Sequence, residues 1–255
     1  MKLRKFIILA MACLSLVSVT ACGSDKGGSY DSDGDKSDYT KASEENFKHQ
    51  YKNADIGGII EFGTYEQDNN EKNGTEPIEW IVLEKEENKL LIISKYCLDV
   101  KPYNDYDRDV TWEFSTIRQW LNNTFIETAF SEYEKEIIVE TQLTNPDNDY
   151  GFYDYGKGGN DTKDKVFLLS IEEARNYFAS DSDRIADVTE YAKEQGADTN
   201  FADSNIEFPR WWLRSAGCYA DRASNINEDG SISKGGFSVE YDGYCIRPAL
   251  WITIE

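Results

Sequence analysis

The chain has 255 residues, 40% of them hydrophobic and 29% charged, enough for one ordinary domain of about 200 residues plus accessory segments. Asp and Glu number 48 against 27 Lys and Arg, a formal net charge of −21. Such a surface repels phosphate backbones and anionic headgroups, so nucleic acid is not an expected partner. The one histidine, His49, leaves multi-histidine metal centres and Ser-His-Asp triads of the folded part without raw material.

Residues 1–21 place Lys2, Arg4 and Lys5 ahead of an apolar run at 6–19, the layout of an export signal. The run is shorter than the about 20 apolar residues of a membrane-crossing helix. Residues 22–53 are a Gly, Ser, Asp and Lys mixture without hydrophobic period, which predicts a flexible acidic tether containing an idle His49. Asp31, Asp33 and Asp35 alternate as calcium-loop carboxylates do, but Gly34 falls at the fourth position and not at the sixth. No cofactor is expected, with calcium in the acidic loops left as an open alternative that this spacing does not support.

Residues 54–255 predict a single domain. A strand and turn at 56–65 precede the apolar runs 78–83 and 89–94, which flank a charged turn as a hairpin does. Ile117, Leu121 and Phe125 recur at helical spacing behind Ser115, an available N-cap. A second helical piece follows at 131–139. After the strand 165–169, Ser170 and Glu173 are spaced as a capping box for a helix over 170–178. Residues 145–165 form a long Gly, Asp, Asn and Tyr segment, and loops of that length are often functional. The last section predicts a strand at 210–215, a hairpin turn at Asp229-Gly230 and a closing strand at 244–254. Strands, then helices, then strands predict an α+β fold of mainly antiparallel sheets with two or three helices.

Two resemblances add to this reading. Val19-Thr20-Ala21-Cys22 resembles the lipobox of bacterial lipoproteins, which implies cleavage before Cys22, a diacylglyceryl group on its thiol, and an extracytoplasmic domain anchored to the cell membrane through lipid. The runs Trp211-Trp212-Leu213-Arg214-Ser215 and Ile246-Arg247-Pro248-Ala249-Leu250-Trp251-Ile252, with Phe62-Gly63-Thr64-Tyr65, Ser94-Lys95-Tyr96 and Arg118-Gln119-Trp120-Leu121-Asn122, resemble an uncharacterised domain-of-unknown-function family of bacterial surface lipoproteins. The closing strands are similar in style to the C-type-lectin-like fold, as in formylglycine-generating enzymes and diversified binding proteins. The copper site of the former uses two cysteines close in sequence, whereas Cys218 and Cys245 are 27 apart. The folded part lacks the histidines of the related iron enzymes, and Glu76-Pro77-Ile78 lacks the amide of a lectin-type calcium site.

In an exported protein disulfides persist, and Cys218 and Cys245 lie in segments expected to be neighbouring strands, so they are the expected pair. Arg214 and Arg247 are expected to form buried bidentate pairs with carboxylates. Adjacent Trp211 and Trp212 must point to opposite faces of a strand, which would leave one exposed. Tyr150, Tyr153 and Tyr155 among glycines, and Tyr219, Arg222 and Asn225 in a second loop, have the composition of a binding surface. With Trp211 these are the candidate ligand-binding residues, for a glycan or protein at the cell surface. The alternatives are a surface hydrolase with paired Asp or Glu carboxylates, for which no catalytic residue can be named, and a structural envelope component.

Overall fold

The computed structural model describes residues 51–150, 156–199 and 208–255. The expected signal segment, Cys22, most of the tether, Tyr153 and Tyr155 lie outside the described residues. The fold is mixed α/β, with mostly antiparallel sheets and short helices. Its strands are β1 (Ile59–Tyr65), β2 (Glu76–Lys85), β3 (Lys89–Ser94), β4 (Asp99–Val100), β5 (Ile138–Val139), β6 (Thr141–Leu143), β7 (Thr162–Asp164), β8 (Val166–Phe167), β9 (Trp211–Ala216), β10 (Arg222–Ile226), β11 (Ile232–Ser238), β12 (Cys245–Ile246) and β13 (Ala249–Thr253). The first helix, α1, runs from Thr116–Trp120 through a π turn at Leu121–Phe125 into Ile126–Ala129. Four shorter helices follow: α2 (Glu132–Ile137), α3 (Ile171–Asn176), α4 (Asp181–Arg184) and α5 (Glu190–Glu194). The described residues thus hold more helices than the two or three expected, because segments too short to show a hydrophobic period are helical as well.

One sheet has the order β1-β2-β3-β13-β5, with β8 also pairing β13, and a second has the order β11-β10-β9-β12-β4. All these pairings are antiparallel except β12 with β9. The β2–β3 hairpin forms as expected: Ile78, Trp80 and Val82 alternate inward with more exposed neighbours, and every side chain from Leu90 to Ser94 is buried. Ser115 accepts from the Arg118 amide, and Ser170 with Glu173 makes the full capping box. Residues 227–231 turn β10 into β11, with Gly230 at φ +81°. A Cβ there would lie against the Asp181 carbonyl, so glycine is required on both counts.

Two segment boundaries differ from the sequence reading. Tyr51, assigned to the tether, is 3% exposed, donates its hydroxyl to the Glu61 carbonyl at 2.9 Å and meets Phe62 edge-on; the fold therefore reaches back past residue 54. The expected closing strand is split at Arg247-Pro248 into β12 and β13, which belong to different sheets. Proline has no N–H to give to a ladder, and at this point the chain crosses from one sheet to the other.

That crossing changes the reading of Arg247, which is buried and among the described residues has no carboxylate partner. Its Nε donates to the Ser94 carbonyl at 2.8 Å and Nη1 to the Arg184 carbonyl at 3.3 Å, while the guanidinium lies over Trp211 and Phe178. Burial pulls its pKa down to about 10, since desolvation disfavours the charged form. Arg214 behaves as expected, gripping both carboxylate oxygens of Glu173 with Nη1 and Nη2.

Candidate functional site

Aromatic side chains that a core would normally absorb are left in solvent around one end of the second sheet. Tyr106, Phe114, Tyr150 and Tyr219 are 66%, 60%, 52% and 48% exposed. Three stretches distant in sequence meet there: residues 104–114, residues 145–150 with 156–160, and the loops at the ends of β9, β10 and β11.

The first stretch is seated by a buried carboxylate. Asp164 accepts from Trp112 Nε1 at 2.9 Å, from Arg118 Nε at 2.7 Å and from the Thr162 hydroxyl at 2.8 Å. This fixes the single 3₁₀ turn Trp112–Phe114, with Trp112 in the core and Phe114 in solvent. Asn104 is buried; its amide donates to the Tyr106 carbonyl at 2.8 Å, and its N–H donates to the Val239 carbonyl at 2.8 Å. Nearby, the Val110 N–H reaches the Ala220 carbonyl at 3.0 Å.

The second stretch is tied to the β9–β11 loops by Asn148, whose amide donates to the Ala216 carbonyl at 2.7 Å and to the Lys234 carbonyl at 2.8 Å. Tyr150 then lies beside Gly235. Asp149 pairs with Lys234 at 2.8 Å and Asp147 with Lys157 at 2.9 Å. Each of these lysines holds its carboxyl below the usual range. In the third stretch the Cys218 N–H donates to the Gly235 carbonyl at 3.0 Å, and the Arg222 guanidinium lies 5.4 Å from the Tyr219 ring. Gly236, at φ +68°, approaches so closely that a Cβ would sit 2.3 Å from the Ala223 carbonyl.

Tyr150, Tyr219 and Arg222 therefore share one end of the sheet. Other candidates do not belong to it. Trp211 is fully buried, donates Nε1 to the Arg184 carbonyl at 3.1 Å and carries the Arg247 guanidinium on its ring, so it cannot stack on a surface ligand. Trp212 faces Tyr103 and Tyr244 and is equally buried; both faces of β9 are covered, and neither tryptophan is exposed. Asn225 is 1% exposed and spends its amide on Asn227. The expected disulfide is also corrected: Cys97, Cys218 and Cys245 are all free. Cys245 pairs with Trp211 at the start of β9, whereas Cys218 lies past its far end, about 20 Å away at strand rise, well beyond disulfide reach. Cys245 instead neighbours Cys97, which together with burial pushes its thiol well up.

Two cavities border this end of the molecule. The larger, about 640 Å³, lies between residues 108–114, residues 157–160 and Ala220; the smaller, about 290 Å³, lies among residues 144–149, α3, Arg214 and Lys234. Thr111 Oγ1 on the larger and Arg214 Nε on the smaller are buried without a hydrogen-bond partner. Sequence reasoning missed the whole 104–114 contribution. The available signal was its exposed Tyr106 and Phe114 beside acidic residues, which composition alone does not distinguish from an ordinary loop. Elsewhere, Glu66, Asp68 and Glu76 bring carboxylate oxygens within 4.8 Å of one another, but their oxygens accept from Gln67, Asn70 and Asn73.

Residues 87–254 match the family model described as Domain of unknown function (DUF6273). The chain belongs to this family. The match opens in the β2–β3 turn and closes at the end of β13, so it takes in every segment of the candidate site. No curated protein and no solved structure matches the chain. Several residues of the motifs that carried the resemblance are structural. Asn122 donates to the Val166 carbonyl and accepts from the Lys165 and Val166 amides, and Arg118 holds Asp164. Among the described residues no helix is long and apolar enough to cross a membrane.

Proposed function

We propose that this protein is an extracytoplasmic lipoprotein, anchored to the cell membrane through Cys22, whose C-type-lectin-like domain binds a glycan or protein of the cell surface without cofactor chemistry. The observation that carries the binding reading is the convergence at one sheet end of Tyr106, Tyr150 and Tyr219, which are among the most exposed aromatics of the described residues, with Arg222 at the start of β10. Tyrosine offers wide rigid contact area at low entropic cost, and the loops presenting it are held by backbone hydrogen bonds to the scaffold. The lectin-like comparison is supported by chain routing: β1 and β13 share the first sheet, while the irregular loops leave the second. A hydrolase would want one carboxyl with a raised pKa in the cleft. Asp147 and Asp149 are shifted the other way.

The test is retention of the full chain on immobilised cell-surface polysaccharide and protein fractions, with and without EDTA. Wild type should bind saturably and without turnover in both conditions, and Tyr150→Ala and Tyr219→Ala should each weaken retention about tenfold, the scale of an interface hot spot. Retention indifferent to both substitutions, or product accumulation, defeats this reading.

A further inference from the structure

We infer that the cleft between the Trp112–Phe114 turn and residues 157–160 takes a neutral carbohydrate. The inference rests on the binding reading above and deepens it, because this cleft lies in part on the long 145–165 segment but contains none of the ligand-binding residues that the sequence named.

Four observations support it. The cleft encloses about 640 Å³, within the range of sites that enclose small ligands, whereas a folded protein partner covers a broad face of about 800 Å². Its charged lining is mixed: Arg108 and Lys157 stand with Asp109 and Glu113, and Lys157 is paired with Asp147, so the cleft carries no cluster of one sign that would select a charged ligand.

The hydrogen-bonding groups also fit. Asn160 Nδ2 donates to Glu113 Oε2 at 2.9 Å, which leaves the amide oxygen and the second carboxylate oxygen for hydroxyl groups. Beside them Phe114 presents a solvent-exposed ring, the surface on which the C–H face of a sugar ring packs. Thr111 lines the same cleft, with its Oγ1 covered beneath Gly159.

Finally, the cleft is rigidly mounted. Trp112 and Arg118 hold it through Asp164, and Gly159 packs so tightly on Thr111 that a Cβ there would lie 2.7 Å from the threonine side chain. A site ordered before binding loses less entropy when it binds.

The experiment is equilibrium binding of the full chain to immobilised neutral oligosaccharides of hexose and N-acetylhexosamine, at low and high salt. The variants are Phe114→Ala and Asn160→Ala, with Ile56→Ala in the turn before β1 as control and near-ultraviolet circular dichroism as the fold check. The expected result is saturable binding that survives 0.5 M salt, where the Debye length falls to about 4 Å, falls at least tenfold in both cleft variants and is unchanged in Ile56→Ala. Binding indifferent to both cleft variants overturns the site. Binding only of acidic oligosaccharides, abolished by salt, overturns the ligand class. If no neutral oligosaccharide binds but a surface protein is retained through Tyr150 and Tyr219, this inference fails and the binding reading stands. If nothing is retained, both fail.

Discussion

Aromatic residues serve opposite ends in the two sheets. In the first, Trp80, Trp251 and Phe62 are buried, Trp80 Nε1 donates to the Phe62 carbonyl at 2.6 Å, and Phe130 packs on both Trp80 and Phe62. At the loop end of the second, Trp112 is buried as an anchor, but Tyr106, Phe114, Tyr150 and Tyr219 stand in water. The first arrangement is what a core needs to exist. In the second, a buried aromatic fixes the place of an exposed one two residues away, as Trp112 does for Phe114. The contrast separates residues that hold the fold from residues available for a ligand.

The largest expected effect breaks an anchor of the loop end. Trp112→Ala removes a buried side chain and the donor to Asp164, and should cost about 3–5 kcal/mol of stability in urea denaturation. Arg214→Met should cost about 3 kcal/mol, because it leaves Glu173 facing a buried site without its partner. Glu173→Gln keeps the capping box but leaves the buried Arg214 guanidinium without its counter-charge, and should cost a similar amount. If Trp112→Ala cost no more than a surface substitution, the anchor role would fail.

Two ionisable groups sharpen the comparison by responding to pH in opposite senses. Asp99, buried in the core, accepts from the Tyr65 hydroxyl at 2.7 Å, yet desolvation outweighs that bond and raises its pKa. The folded state thus favours the protonated acid, and this contribution is lost as pH rises through the raised value. Measured against Asp99→Asn, wild-type stability should fall as pH rises above the ordinary carboxyl range. Glu228, at the β10–β11 turn, is held low by Arg210, which donates at 2.6 Å. Its contribution is present above the usual carboxyl value and disappears on acidification through the lowered one. Glu228→Gln should cost about 0.5–1 kcal/mol at pH 7 and progressively less toward pH 3.

The smallest effects concern exposed groups. Phe114→Ala should change stability by about 0.5 kcal/mol or less while weakening carbohydrate binding. Of the three described cysteines, Cys218 is partly exposed and Cys97 and Cys245 are buried. A thiol reagent should therefore modify Cys218 in the native state and the other two only on unfolding. A native protein in which Cys218 resists labelling until reduced would restore the disulfide.

Much of the scaffold was legible because its signals are local. The β2–β3 alternation, the Ser115 and Ser170 caps and the Asp229-Gly230 turn each depend on residues a few positions apart. The misreadings all depend on distant neighbours. Tyr51 looked like one aromatic in a polar tether until Glu61 and Phe62 came beside it. Strand alternation correctly sent Trp211 and Trp212 to opposite faces, but only tertiary structure covers both. Arg247 lies where the chain changes sheets, and backbone carbonyls with two aromatic rings replace the expected carboxylate. The site was half legible: composition marked Tyr150 and Tyr219, but nothing local joined residues 104–114 to them.

The most direct test of the division into scaffold and binding end is hydrogen exchange of the full chain, alone and saturated with the neutral oligosaccharide it retains best. The account expects slowed exchange in residues 105–114, 156–160 and 217–222, with β1, β2, β3 and β13 unchanged. Slowing confined to those four strands, with the loop end unaffected, would contradict it.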